Sequence, residues 1–380
     1  MVKKVTTLIV CVFLLLSGIY GCTDKKEFNL DDFKLEKKDE KYIIPKDGVI
    51  YCELEDDKFL FNTIDDSEKI KDGKDNVLFL YDLKSQKAEK YLETINKDYM
   101  FKQVYNVNNK WLVWIESAVK VDYILQTTGG KYIIGAKDLE TGEVFKIKEM
   151  NGSVGLDPIV NIDPTDILFD KETIAYKSMI VSGTTYSEAV ETFNLKTREP
   201  RIEHAINDFF KRRISNVSLK NGKIAYCEYP YDPQLDSKSE VYYYDLGSKK
   251  KVILKEDDKN MDMTDAFLTD RGIYLNKYLL GKEITETSID FIDLENKKEK
   301  NIFKESEFGD IGTFPIVKYE IGDKLFLEST LGIKIYDTKK GEIVPIDSKL
   351  KYLEPLGDYA IVEYNNGEET ERCLIKINKN

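Results

Sequence analysis

The chain has 380 residues, 57 Lys and Arg against 69 Asp and Glu, a formal net charge of −12, and 42% hydrophobic residues. An acidic chain of this kind is repelled by phosphate, which argues against nucleic acid and anionic lipid as charge-driven partners. His204 is the single histidine, so no multi-histidine metal site can form; no Ser-His-Asp or Cys-His arrangement of the usual kind is legible, nor is a P-loop or a dinucleotide fingerprint.

Met1-Val2-Lys3-Lys4 is a short basic start, and Val5 to Leu16 is apolar apart from Thr6 and Thr7. Val5 to Tyr20 spans 16 residues, short of the ~20 that a membrane-crossing helix needs, and reads as a secretory signal. It ends in Ile19-Tyr20-Gly21-Cys22, followed by polar Thr23-Asp24-Lys25-Lys26. This tetrapeptide resembles the lipobox of bacterial lipoproteins, with Tyr20 where a small residue is usual. The resemblance implies cleavage after Gly21, a diacylglyceryl thioether on Cys22 and a stable two-chain anchor at the outer face of the cytoplasmic membrane. Loss of Lys3 and Lys4 with the signal takes the charge from −12 to −14. The abundance of Lys, Ile, Asn and Tyr suits a low-GC bacterium, which points to a Gram-positive cell surface.

Thr23 to Lys41 mixes Asp, Lys and Glu with scattered Phe28, Leu30, Phe33 and Leu35, follows no period, and reads as a solvated tether. The chain thus divides into a signal over 1–21, a tether over 22–41 and one domain over 42–380.

That domain is built on a repeat, clearest from Ser239 to Leu254: alternating apolar and aromatic residues, Tyr244-Asp245-Leu246, a polar turn, and a second apolar run. Period-2 alternation around a Gly/Ser/Lys turn is the pattern of a β-hairpin. The acid or its amide recurs at Asp82, Asp138, Asn194, Asp245, Asp293 and Asp337, spaced 56, 56, 51, 48 and 44 residues apart, close to the ~40–50 residues of a propeller blade. Four residues earlier stands Leu78, Ile134, Val190, Val241, Ile289 or Ile333. Short Asp and Asn side chains accept hydrogen bonds from turn amides, so these acids are expected to hold turns and not to catalyse. A second strand recurs upstream in seven copies, among them Lys58-Phe59-Leu60-Phe61, Lys223-Ile224-Ala225-Tyr226 and Tyr359-Ala360-Ile361-Val362.

The expected fold is all-β: a seven-bladed β-propeller of four-stranded antiparallel blades at roughly 48–94, 95–149, 150–205, 206–256, 257–305, 306–349 and 350–377. Six or eight blades are the alternatives. The last unit lacks an outer strand, which Tyr42 to Pro45 would supply by pairing with Cys373 to Ile377. Ala205 to Arg213 and Lys304 to Phe308 read as short helical or turn segments. The pattern resembles secreted bacterial propellers of the broad Tol-Pal and WD-repeat-like class, which implies a fold and no particular function.

Functional signals are sparser. With Cys11 in the signal and Cys22 at the anchor, Cys52, Cys227 and Cys373 remain, an odd set without CxxC spacing. Cys52 and Cys373 fall in neighbouring blades of a closed ring and could pair; three buried thiols are the alternative. Asp157, Asn161, Asp163 and Asp166 offer oxygen ligands that would suit calcium, though not at EF-hand spacing; no other cofactor is expected. In propellers of the class this chain resembles, the link between second and third strands opens on the same side as the links between blades. Here it is long in blades two (Ser117 to Lys131), three (Ser178 to Ser187), four (Tyr229 to Ser239) and five (Lys277 to Ser288). Those links carry Tyr123, Tyr186, Tyr229, Tyr231, Asp232 and Tyr278, with Trp114 on an adjoining strand, as candidate ligand-binding residues for a sugar or peptide. The bland alternative is that Trp114 and several tyrosines cover strand ends. The expectation is a non-enzymatic, lipid-anchored binding or scaffold propeller for protein, peptide or glycan, with no nucleic-acid partner. A carboxylate-based glycan-processing enzyme, or a sensor or assembly component of a membrane complex, are the alternatives.

Overall fold

The alternating repeats fold as the strand pairs they encode. The structure, a computed structural model, describes residues 36–38, 41–45, 48–63, 76–122, 127–151, 167–182, 185–207, 211–230, 238–256, 261–280, 284–306, 316–329, 332–344, 349–365, 367 and 370–376. Among these there is no helix, and the strands form seven antiparallel sheets, the blades of one propeller. Two short strands, β1 (Glu36–Lys38) and β2 (Lys41–Ile43), precede blade one, which holds β3 (Gly48–Glu55), β4 (Lys58–Thr63), β5 (Val77–Asp82) and β6 (Lys87–Glu93). Blade two holds β7 (Met100–Val107), β8 (Trp111–Asp122), β9 (Thr127–Asp138) and β10 (Val144–Asn151). Blade three holds β11 (Leu168–Asp170), β12 (Thr173–Ser182), β13 (Thr185–Asn194) and β14 (Glu199–Ala205). In blade four the inner strand is split into β15 (Arg212–Ile214) and β16 (Ser218–Lys220), both paired to β17 (Lys223–Pro230), with β18 (Glu240–Asp245) and β19 (Lys250–Glu256) outside. Blade five holds β20 (Met261–Leu268), β21 (Gly272–Leu280), β22 (Ile284–Asp293) and β23 (Glu299–Ser306). Blade six holds β24 (Ile316–Ile321), β25 (Lys324–Ser329), β26 (Gly332–Asp337) and β27 (Glu342–Val344), and blade seven β28 (Leu350–Leu356), β29 (Tyr359–Asn365) and β30 (Thr370–Lys376).

The ring closes as its unfinished last unit requires. β2 pairs with β30 in the register Lys41↔Ile375, Tyr42↔Leu374 and Ile43↔Cys373, and the Ile44 amide donates to the Arg372 carbonyl at 2.9 Å. β1, at the end of the segment read as a tether, folds back on β2 as a fifth strand; the signal, Cys22 and the rest of that segment lie outside the described residues. Two local expectations are corrected. Ala205 closes β14 and Arg212 opens β15, so neither end of Ala205 to Arg213 is helical, and β23 runs on through Ser306 where a turn was expected. Ladder pairing overrides local propensity at both places: Ala205 pairs with Ala189, Arg212 with Pro230, and Lys304, Glu305 and Ser306 with Ser288, Thr287 and Glu286.

Apolar residues collect between blades and not in one central core. Ile50, Phe59 and Tyr81 of blade one pack with Leu356, Tyr359 and Ile361 of blade seven, and Leu60 and Leu78 of blade one with Val104, Leu112 and Trp114 of blade two. The aliphatic residue four places before each repeat acid is buried in all six copies.

The repeat acids themselves hold turns. Asp82 accepts from the amides of Lys84 and Ser85 at 2.8 and 3.0 Å, and Asp138, Asn194, Asp293 and Asp337 accept from the equivalent pairs of amides. Asp245 accepts from Ser248 at 2.7 Å. The next residue of each copy reaches the turn between first and second strands: Leu83 donates to the Asp57 carbonyl, Leu139 to Lys110, Leu195 to Glu172 and Leu246 to Gly222. Backbone amides facing Asp82, Asp138 and Asp245, and the Lys324 side chain together with two amides at Asp337, hold these carboxyls below their ordinary range, Asp337 at about 2.

A carboxyl whose folded value is depressed contributes stability above its unfolded value, lost as pH falls through the folded one. The melting temperature should therefore drop between about pH 4 and about pH 2, and replacing Asp82, Asp138 and Asp245 together by Asn should flatten that drop. Asn194 already fills this role, so Asp138→Asn should melt near the wild type, whereas Asp138→Ala, which loses both acceptor bonds, should melt a few degrees lower by calorimetry.

Candidate functional site

The inner strands of the seven blades surround a cavity of about 1080 Å³ along the ring axis. Its lining runs from Val49 and Ile316, near the starts of their strands, to Asp56, Asn109 and Asp358, in the turns where such strands end. Six inner strands place a side chain at one level near their ends: Glu53, Tyr105, Phe169, Phe267, Tyr319 and Glu354 all line the cavity, and Ser218 holds the level in blade four. The common level follows from register, since each residue lies one or two places before the end of its strand.

Two arcs of this wall differ. On blades two and three, Tyr105 and Phe169 meet edge-on with ring centroids 6.2 Å apart, and the Tyr105 hydroxyl donates to Gln103 Oε1 at 2.6 Å. Phe169 is 39% exposed although it faces the interior of the ring, which core packing does not explain. Across the axis, blades six and seven carry ionisable groups. The Tyr352 hydroxyl donates to Glu354 Oε2 at 2.7 Å, Lys318 pairs with Glu328 at 3.3 Å, and Arg372 with Glu363 at 3.2 Å. Burial pushes the Glu354 carboxyl up, against the pull of the Tyr352 hydrogen bond and of the Arg372 and Lys318 charges. Burial, with the Glu354 charge next, also pushes the Tyr352 hydroxyl up. In all, the described lining carries seven carboxylates against three cations.

The residues singled out from sequence do not gather here. Trp114 is fully enclosed: its indole donates to Glu116 Oε2 at 2.9 Å and packs 6.1 Å from Phe101, and the same ring leaves no space for a Cβ on Gly135. Tyr229 is partly buried on β17, with its hydroxyl pushed up by burial to about 12. Tyr186 and Tyr278 lie on β13 and β21. Tyr123, Tyr231, Asp232 and the calcium candidates Asp157, Asn161, Asp163 and Asp166 fall outside the described residues. Among the described residues no cluster of three or more His, Cys, Asp or Glu forms a metal site.

Several of the long links are in fact strand extensions. In blade two the ladder continues to Asp122↔Thr127, in blade three to Ser182↔Thr185 and in blade five to Leu280↔Ile284. They rise on the side where each inner strand begins, as Met100↔Ser117 shows for blade two. Cys52, Cys227 and Cys373 are free buried thiols, so the pairing of Cys52 with Cys373 does not occur. His204 stacks on Tyr226 at 5.4 Å, its Nε2 lies 2.9 Å from Glu228 and its Nδ1 3.0 Å from Lys251. It is thus absorbed into the boundary between blades three and four.

No protein-family model and no curated protein matches the sequence. Among solved structures, an oligogalacturonate lyase in complex with manganese superposes with a TM-score of 0.52 at 11% identity, covering 91% of this chain and 96% of the lyase. Dipeptidyl peptidase 4 of Porphyromonas gingivalis gives 0.55 at 9% identity, over 86% of this chain and 51% of the peptidase. TolB from Acinetobacter baumannii gives 0.38 at 13% identity over 87% and 79%. For the lyase and the peptidase, identities this low establish a shared fold and nothing about chemistry. They do correct the reading of the chain as non-enzymatic. That reading rested on the absence of a recognisable motif, and a propeller of almost the same extent is itself a lyase.

The wall of blades six and seven yields a test. A carboxyl raised by folding binds its proton more tightly in the folded state, so its burden on stability appears as pH rises through the window above the ordinary Glu value of about 4.3. Glu354→Gln, which keeps an acceptor for Tyr352, should raise the melting temperature by a few degrees at neutral pH and leave it unchanged near pH 4. A lower melting temperature at neutral pH would mean that Lys318 and Arg372 outweigh desolvation.

Proposed function

We propose that the protein is an extracytoplasmic lipoprotein, held at the outer face of the membrane by lipid on Cys22, that recognises a peptide, protein segment or glycan in its axial cavity. The observation that carries this reading is the cavity wall itself: an exposed aromatic, Phe169, beside Tyr105, set opposite the hydrogen-bonding and charged groups of blades six and seven. Concave sites that join aromatic surface to a few placed polar groups are the usual form of ligand pockets. The anchor is supported by Ile19-Tyr20-Gly21-Cys22 alone.

A second reading places carboxylate chemistry on a glycan in the same cavity. It is favoured by Glu354, which is driven toward its neutral form while facing the lumen, and the lyase that shares the fold is compatible with it.

Two measurements check these readings. In cells, the full chain should partition with membranes and require detergent for release, and Cys22→Ala should free it into the soluble fraction; equal partitioning of both would remove the anchor. With mature protein, calorimetric titration against peptide and oligosaccharide panels should find a ligand whose affinity falls at least tenfold in a Phe169→Ala, Glu354→Gln double variant. Binding that ignores both substitutions would place the ligand elsewhere.

A further inference from the structure

We propose that the axial cavity takes a single, uncharged or amino-bearing oligosaccharide chain, threaded along the propeller axis with one ring against Phe169. This rests on the cavity being the ligand site and goes on to fix the class of ligand.

Width is the first constraint. The volume of about 1080 Å³ open to the centre of a water molecule, spread over the roughly 26 Å of an eight-residue inner strand, gives a bore about 10 Å across once the radius of the water is added. One extended chain fits such a bore; a folded partner does not.

The hydrogen-bonding character of the wall is the second. The lining carries seven carboxylates against three cations; Lys318 is engaged with Glu328, Arg372 with Glu363 and Glu55 with Lys58, while Glu53 accepts from the Asp57 and Asp358 amides, which leaves Asp56, Asp265, Glu354 and Asp358 as the remaining carboxyls. Carboxyls outnumber cations in the wall even so, which makes it richer in acceptors than in donors. An extended peptide brings as many backbone carbonyls as amides, and its carbonyls would face acceptors. A sugar hydroxyl can donate or accept as its neighbour demands, and an amine is donor only, so a saccharide matches an acceptor-rich bore where a peptide does not. A chain of carboxylated sugars is disfavoured by the same excess of negative charge.

Shape is the third. Phe169 presents an exposed ring, held edge-on by Tyr105, on the side of the axis opposite the Tyr352–Glu354 pair. A pyranose has an apolar face and a rim of hydroxyls, and would set the first on Phe169 while its rim reaches the polar wall.

The test titrates the mature protein with oligomers of N-acetylglucosamine, glucose and glucosamine, an oligouronate of matched length, and neutral and lysine-rich peptides. The expected result is binding of at least one neutral or amino-sugar oligomer, at least tenfold tighter than the oligouronate. Phe169→Leu, which keeps apolar bulk without a ring, should weaken it about tenfold and Phe169→Tyr should restore it, with circular dichroism of each variant unchanged. Tighter oligouronate binding, or a Phe169→Leu variant that binds as well as wild type, overturns the inference. Binding of peptides alone also overturns it while leaving the cavity as the ligand site, and no binding by any probe removes both.

Discussion

Three backbone pairs, Lys41 with Ile375, Tyr42 with Leu374 and Ile43 with Cys373, join the first described strands to the last and close the ring around the axial cavity. Each blade buries its apolar face against its neighbours, so a break in the ring exposes two faces at once. The strand pairing is reinforced by side chains at the same seam. Glu53 of blade one accepts from the Asp358 amide of blade seven at 2.8 Å, and Asp57 accepts from the Tyr359 hydroxyl and pairs with Lys84 at 3.1 Å. Gly357 sits at φ 61, and the Glu53 carboxylate occupies the space that a Cβ would need. Closure by a strand and closure by carboxylates therefore converge on one boundary, between blades one and seven.

Carboxylates elsewhere in the ring serve a similar purpose with less exposure. Glu116 is fully buried and accepts from the Ile95 and Asn96 amides and from Trp114, which fixes the link between blades one and two. Glu188 accepts from the Ile214 amide and from Arg213, and Glu228 from Arg212, pinning the approach to blade four. A buried carboxylate with two or more donors is a strong structural tie, and removal of its partners would leave an uncompensated charge. These acids are consumed by architecture and are not free for chemistry.

Legibility in the sequence follows from locality. The turn acids could be read because an acceptor two or three residues from its donors leaves a fixed signature, and the closing strand because the last repeat was visibly short of one. The inner strands carry no such signature. They meet partners on one edge only, their lining side chains range from Tyr105 to Ser218 and Glu354, and in blade four the strand is broken at Ser215, whose amide donates to the Cys227 carbonyl while its Oγ accepts from the Cys227 amide. Trp114 misled for the complementary reason: an aromatic beside a long link looks exposed, and only Gly135, two strands' width of chain away in sequence, betrays the indole that lies over it. The better signal was register, since the residue two places before the end of an inner strand is Glu53, Tyr105, Ser218, Tyr319 or Glu354.

The acids of this protein sort by environment into two populations, and that sorting narrows where function can lie. On the outer turns, amides and lysines hold Asp82, Asp138, Asp245 and Asp337 firmly ionised. Burial drives Glu116 and Glu354 the other way. Of these two only Glu354 faces the lumen; Glu116 has three donors and no access to it. A group driven toward neutrality can donate a hydrogen bond to a ligand or a proton to a leaving group, and the two uses need the same placement. Recognition and catalysis thus make identical demands on blade seven and differ in what stands beside Glu354. A second carboxylate held ionised at the distance of a sugar ring would turn a binding wall into a reactive one. Glu328, tied to Lys318 at 3.3 Å, is the carboxylate whose charge adds to the upward push on Glu354.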